Sequence, residues 1–286
     1  MAIALVAHPT LGTLSSQLGD ALPVTGIYYP ARTQPKDATL PFFADLTAML
    51  AETGASICAF LSPYDGIEKD VERCLAVGVD VLCGGPLPKI DSAPGSGDCP
   101  RCAIGAIHHF SPLFTKARQQ RENPSFGDSV YLRLVAGAQS PGLLPAWWAV
   151  CNQWALALDL LGETPPAVYL SANNRGRAYH VALTATAPSG TIIQIAVAPQ
   201  RRLAEFSLIG RGGSLAASAT QGGLTLAGAQ STQVLHDATP PPELAWMRAF
   251  YEDEAPPATD ESSFGTPLLR GLRRALRQRQ PISIDL

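Results

Sequence analysis

The sequence predicts an α/β unit built on a parallel sheet, followed by an α+β unit with a mainly antiparallel, open-faced sheet. Three observations carry this expectation. Over the first hundred residues, short apolar runs alternate with amphipathic helical ones. Residues 91–103 (DSAPGSGDCPRCA) then break the pattern with proline, glycine and serine. Beyond that break several consecutive segments alternate apolar and polar residues with period two. Two domains are therefore expected, residues 1–100 and 101–286.

Residues 3–7 (IALVA) read as a buried strand, followed by a loop (HPTLGT) and a short helix over 15–22. A second strand is expected at 24–29. Residues 45–52 (DLTAMLAE) have helical periodicity, with Asp45 placed to cap the helix N-terminus. A strand at 56–61, an amphipathic helix at 67–77, a stop at Gly78 and a strand at 79–83 complete the series. Strands separated by helices require right-handed crossovers, hence a parallel, Rossmann-like sheet. In the second half a helix over 112–121 precedes a strand at 129–135. The helix expected at 145–161 is apolar almost all round and carries three of the four tryptophans, which buries it. Strands follow at 167–172, 178–187, 191–197 and 205–209, with one exposed face. Residues 237–263, rich in proline and acid, read as a surface excursion. A closing helix (266–279) and strand (282–285) are expected to pack back on the first domain.

With 46% hydrophobic and 16% charged residues, the composition suits a buried core rather than a disordered chain. A net charge of −3 gives no footprint for nucleic acid. The basic run RGLRRALRQR (270–279) reads as a solvated helix face. No run of about 18 apolar residues marks a membrane span. The N-terminus lacks the basic region and apolar core of a signal peptide. Cys58, Cys74, Cys83 and Cys151 lie in apolar runs, as reduced cysteines do, so a cytoplasmic location is expected.

The runs LTAMLAETGASICAFLSP, IEKDVERCLAVGVDVLCGGPLP, IHHFSPLFTKARQQRENPSFGDSVYLRL and LLRGLRRALRQRQPISIDL, in this order, resemble the Gfo/Idh/MocA family of NAD(P)-dependent sugar and polyol oxidoreductases. LTAMLAETGASICAFLSP resembles the family's helix, turn and strand ending in Thr-Pro or Ser-Pro. IEKDVERCLAVGVDVLCGGPLP resembles the helix, Ala-Gly turn and strand ending in Glu-Lys-Pro. IHHFSPLFTKARQQRENPSFGDSVYLRL is similar to the start of the family's second domain. GETPPAVYLSANN, GTIIQIAVAP and FSLIGRGGSLAA are similar to its sheet, and LLRGLRRALRQRQPISIDL to its closing helix and strand.

The resemblance implies NAD or NADP as cofactor, held by a G-x-G-x-x-G loop whose glycines let backbone approach phosphate at a helix N-terminus. The matching positions here are Ala7, His8, Pro9, Thr10, Leu11 and Gly12, so only the third glycine remains. Pro9 lacks an N–H and adds a ring on the approach path. The ribose-binding acid falls at Tyr29. Ser62 and Pro63 keep the loop that lies over the cofactor, and the family's following histidine falls at Ile67. The Glu-Lys-Pro motif reads Gly84-Gly85-Pro86, so the lysine that eases hydride transfer is replaced by Gly85. Lys89 is displaced by several ångströms, at roughly 3.3 Å per extended residue. The family's helical aspartate and histidine fall at Trp148 and Asn152, with Ala155 at a further aspartate position. Asn152 and Asp159 share a helix face and are the remaining catalytic candidates.

Cys99 and Cys102 (CPRC) supply half of a tetrahedral zinc site, and His108 and His109 follow, but two adjacent histidines on one strand would point to opposite faces. An unligated or redox-labile loop is the alternative. His8 stands at the phosphate-loop position, to contact an anion or to solvate a strand end. His180 reads as a sheet-face residue. The strands at 178–187 and 191–197 carry alanine, threonine, valine and isoleucine on both sides, which suits a sheet face covered by a second copy or a related partner. Two functions follow: an oxidoreductase by descent with a divergent cofactor site, or a non-catalytic binding or partner subunit oligomerising through its sheet.

Overall fold

A computed structural model describes residues 1–30, 39–87, 100–105, 107–199, 204–218, 223–228, 232–235, 241–252 and 261–285. The chain divides into two compact units, Met1–Ile107 with Pro241–Ser262, and His108–Pro240 with Ser263–Leu286.

The first unit contains β1 (Ile3–Val6), α1 (Gly12–Ala21), β2 (Val24–Tyr28), β3 (Phe42–Phe43), α2 (Leu46–Thr53), β4 (Ile57–Phe60), α3 (Ile67–Ala76), β5 (Asp80–Cys83) and β6 (Cys102–Ile104). These strands pair in the order β3-β2-β1-β4-β5-β6, every pair parallel. This is the strand order of doubly wound dinucleotide-binding sheets, with the reversal between β1 and β4. Residues of β1 and β4 are all buried, as strands covered on both faces must be. Asp45 caps α2 by accepting from the Ala48 N–H at 2.9 Å, and Gly78 ends the α3 turn at φ +79°.

The break expected over 91–103 ends in a strand: Cys102–Ile104 pairs with β5 as the sixth strand. Arg101 fixes it: its backbone N–H and its guanidinium both bond the Asp80 carboxylate, at 2.7 and 2.8 Å. The guanidinium also lies over the Phe250 ring at 4.4 Å.

In the second unit α4 (Pro112–Glu122), β7 (Ser129–Gly137), α5 (Leu143–Leu161), β8 (Ala167–Arg175), β9 (Ala178–Thr186), β10 (Ile192–Ala198), β11 (Ala204–Gly210), β12 (Gly213–Ser218), β13 (Gly223–Gly228) and β14 (Thr232–Leu235) follow in sequence. Next comes α6 (Pro242–Tyr251), which belongs to the first unit, then α7 (Glu261–Gln278) and β15 (Ile282–Asp285) in the second. The expected excursion over 237–263 therefore contains a helix, with Trp246, Met247 and Phe250 buried. The segment that returns to the first unit is this one, and the closing helix and strand stay in the second.

The second sheet runs β14-β13-β12-β11-β7-β10-β9-β8-β15. It is mixed: β7 and β10 pair in parallel and the other pairs are antiparallel. α5 covers β7, β9 and β10. Trp147 and Trp154 are fully buried, and the Trp147 indole donates to the Gly265 carbonyl at 2.9 Å. On α7 the leucines Leu268, Leu269 and Leu272 face inward, and Arg270, Arg273, Arg274 and Arg277 face out. Gly271 lets that helix lie on β15, since a Cβ there would sit 2.2 Å from the Ile284 side chain.

The C-terminus of α5 leaves backbone carbonyls without helical partners. Arg121 supplies two, its guanidinium donating to the Leu160 and Leu161 carbonyls at 2.8 and 2.5 Å. Arg118 and Glu122, by contrast, pair on the exposed face of α4. Arg121→Ala is expected to lower unfolding free energy by about 1–3 kcal/mol, as loss of charge-assisted bonds to partly buried carbonyls does. Arg118→Ala should change it by less than about 0.5 kcal/mol. Chemical denaturation of the two variants checks the contrast.

Candidate functional site

In an open parallel sheet, ligands bind outside the carboxyl ends of the strands, where strand order reverses. Here that crevice lies beyond β1 and β4. The structure brings to the carboxyl ends of the parallel strands the positions singled out from the sequence: Ala7 to Gly12 after β1, Tyr29 after β2, Ser62 and Pro63 after β4, and Gly84 to Pro86 after β5.

The loop after β1 spends its own donors. The Ala7 N–H bonds the Tyr28 carbonyl at 3.1 Å. The His8 N–H bonds the Ser62 hydroxyl oxygen at 3.0 Å, with Ser62 fully buried. Pro9 has no N–H. The Thr10 N–H donates to His8 Nδ1 at 3.2 Å, and the Leu11 N–H to the His8 carbonyl at 2.8 Å. His8 thus caps a 3-10 turn, Pro9–Leu11, that leads into α1 at Gly12. Its Nδ1 also meets the Thr10 hydroxyl at 2.9 Å. A ring nitrogen that accepts a backbone N–H is unprotonated, so neutral His8 carries its proton on Nε2.

Aromatic rings occupy the space beside this loop. Tyr29, buried, packs edge-on against His8 at 4.8 Å between centroids and against Tyr64 at 5.6 Å. The Tyr64 hydroxyl donates to Asp70 at 2.8 Å, and Asp70 also accepts from Arg73 at 2.9 Å. Burial, reinforced by the neighbouring Asp70 charge, pushes the Tyr64 phenol far above its ordinary value. It is a neutral hydrogen-bond donor, not an acid–base group. Tyr64, Asp70 and Arg73 were not among the residues singled out from the sequence. Their only signal there is the spacing of Asp70 and Arg73 on one helix face.

The other positions carry no reacting group. Gly85 is buried, and its carbonyl accepts from the Cys83 thiol at 3.4 Å. Ile67 is buried at the start of α3, and Lys89 and Cys99 lie outside the described residues. Trp148 is buried on α5 and Asn152 half-buried. Asp159, seven residues beyond Asn152, is engaged elsewhere: its Oδ2 receives His108 Nε2 at 2.7 Å and His109 Nε2 at 2.8 Å. The two histidines lie in a 3-10 turn (Ile107–Phe110), not a strand, so neighbouring side chains reach the same point. Cys102, on β6, is half-buried and does not belong to this group; burial pushes its thiol up to about 11. Cys58, Cys74, Cys83 and Cys151 are buried thiols outside any disulfide, and His180 is an exposed residue of β9. No helix among the described residues is long and apolar enough to cross a membrane.

No family model matches the sequence, and no curated protein matches it. Solved structures do. A UDP-N-acetylglucosamine 3-dehydrogenase from Acidithiobacillus ferrooxidans aligns with TM-score 0.66 and 15% identity over 97% of each chain. An aldose-aldose oxidoreductase from Caulobacter crescentus aligns with TM-score 0.70 and 14% identity, over 100% of this chain and 99% of that one. A dehydrogenase from Chromobacterium violaceum gives 0.68 and 13%, over 98% and 95%. At these identities the likeness is one of fold: the chain shares the two-part architecture of these oxidoreductases along nearly its whole length.

Proposed function

We propose that this chain descends from the Gfo/Idh/MocA oxidoreductases and no longer turns over a dinucleotide, serving instead as a binding or partner subunit that assembles through its second sheet. The observation that carries this reading is the hydrogen-bond accounting after β1. From Ala7 to Leu11 each backbone N–H is already donated within the chain, and Pro9 has none. A pyrophosphate at such a loop is normally held by backbone N–H groups. NAD or NADP, the cofactor the resemblance implies, does not fit the residues present. Tyr29 stands where a carboxylate would hold the ribose and is packed between His8 and Tyr64. Buried Gly85 offers no side chain to the reacting oxygen. Loss of one positioned proton donor costs about 10²–10⁴-fold in rate, and here the cofactor contacts are missing as well.

Assembly is supported by the composition of the sheet face opposite α5. Ile209, Tyr131, Ile192 and Thr186 form one row across β11, β7, β10 and β9. Arg133, Gln194, Thr184 and Tyr169 form the next. Tyr169 and Ile192 are 62% and 44% exposed. Exposed apolar side chains in the first row, beside a row that mixes Tyr169 and Thr184 with Arg133 and Gln194, are the make-up of a face that a partner can cover.

Titration of the purified protein with NADH and NADPH, followed by energy transfer from the tryptophans, is expected to show no saturable binding up to millimolar cofactor. Micromolar binding would restore the dehydrogenase reading. Light scattering coupled to size exclusion is expected to give a dimer or larger assembly for the native chain and a monomer for Ile192→Asp combined with Thr184→Arg. A native monomer, or a variant of unchanged mass, would remove the sheet-face interface.

A further inference from the structure

His108 and His109 are the first two residues of the second unit, and their rings stand 4.4 Å apart, tilted by 33°. Phe114, in the first turn of α4, packs edge-on against both, at 5.1 and 5.0 Å. So held, both Nε2 atoms converge on one oxygen, Asp159 Oδ2, and the three ligand atoms all lie within 4.8 Å of one another. His108 is nearly enclosed, at 8% side-chain exposure, whereas Asp159 opens to solvent at 32%.

We propose that His108, His109 and Asp159 bind one divalent transition-metal ion, with zinc the ion that two imidazoles and a carboxylate suit, and with solvent completing its coordination. Zinc bonds of about 2.0–2.1 Å in a tetrahedron place ligand atoms roughly 3.3 Å apart. The present separations of 2.7 and 2.8 Å therefore need to widen by about half an ångström, and Asp159 has solvent on one side to move into.

The charge balance points the same way. Asp159 lies in the last turn of α5, the negative end of the helix dipole, where a cation beside the carboxylate is favoured, as the Arg121 guanidinium is at the Leu160 and Leu161 carbonyls. A metal requires unprotonated imidazole nitrogens and an ionised carboxylate, so its uptake falls as pH falls. On binding, each ring proton moves from Nε2 to Nδ1 and the ion takes the place of two N–H bonds to one oxygen. Three protein ligands leave one position for water, as in open zinc sites. The inference is independent of whether the first unit binds a dinucleotide.

The test uses the full-length, tag-free protein, stripped with a chelator and titrated with zinc against a competing indicator dye. One zinc per chain is expected. Asp159→Asn, which keeps the side-chain shape, and His109→Ala should each weaken binding by about 100-fold or more, beyond what loss of a supporting contact causes. His180→Ala, which removes an exposed histidine of β9, should leave it unchanged. Circular dichroism of each stripped variant separates ligand loss from unfolding, and the visible absorption of cobalt-loaded protein should disappear in Asp159→Asn while that variant stays folded. A wild-type chain that takes up no zinc, or folded variants that bind it as the wild type does, would overturn the assignment and leave a hydrogen-bonded cluster.

Discussion

A backbone N–H already bonded within the chain is a poorer donor to a ligand, and the proposed function rests on where the loop after β1 directs its donors. In the doubly wound order β3-β2-β1-β4-β5-β6 the crevice forms at the β1–β4 reversal whatever the side chains are. Whether it holds an anion is a separate matter, decided by the N–H groups that face it. Here Ser62 takes the His8 donor, the His8 ring takes that of Thr10, and the His8 carbonyl takes that of Leu11. His8, Tyr29 and Tyr64 then stack edge to face beside the loop. The N–H groups from Ala7 to Leu11 are internally satisfied, which stabilises the segment and is what supports the proposed loss of pyrophosphate binding.

On the proposed reading, that arrangement lets the fold persist without the ancestral chemistry. The core draws on Ile3, Leu5, Ile57 and Phe60 in the first unit, and on α5 and the inner sheet face in the second. The departures from the resembled family's pattern fall at positions 7–11, 29, 67, 85, 148 and 152, the positions that in that family touch cofactor or substrate. Neutral drift would spread losses along the surface. Their concentration at these positions, with buried residues such as Tyr29 and Trp148 among them, supports the proposed change of role.

Much of this was legible in the residues because it is local. Asp45 before an apolar helical run, Gly78 after one, and the two-residue period of β8 to β11 each specify their own geometry. What escaped depended on distant partners. Residues 102–104 follow a proline- and glycine-rich stretch and become a strand through the Asp80–Arg101 pair. The proline that opens α6 reads as a breaker along the chain, yet the first helical position tolerates it, and Trp246, Met247 and Phe250 supply the buried face. The parallel pairing of β7 with β10 spans about sixty residues of sequence, and nothing in either strand announces it. The candidate site divides in the same way. Its positions are sequential and were found by pattern, whereas the convergence of His108 and His109 on Asp159 requires a 3-10 turn and a helix fifty residues on.

Residue-resolved amide hydrogen exchange reads the donors themselves. The His8, Thr10 and Leu11 amides are expected to be protected in the free protein and to exchange at the same rates when millimolar NADH or NADPH is added. Amides that exchange freely in the protein alone and become protected by the dinucleotide would contradict the proposed function.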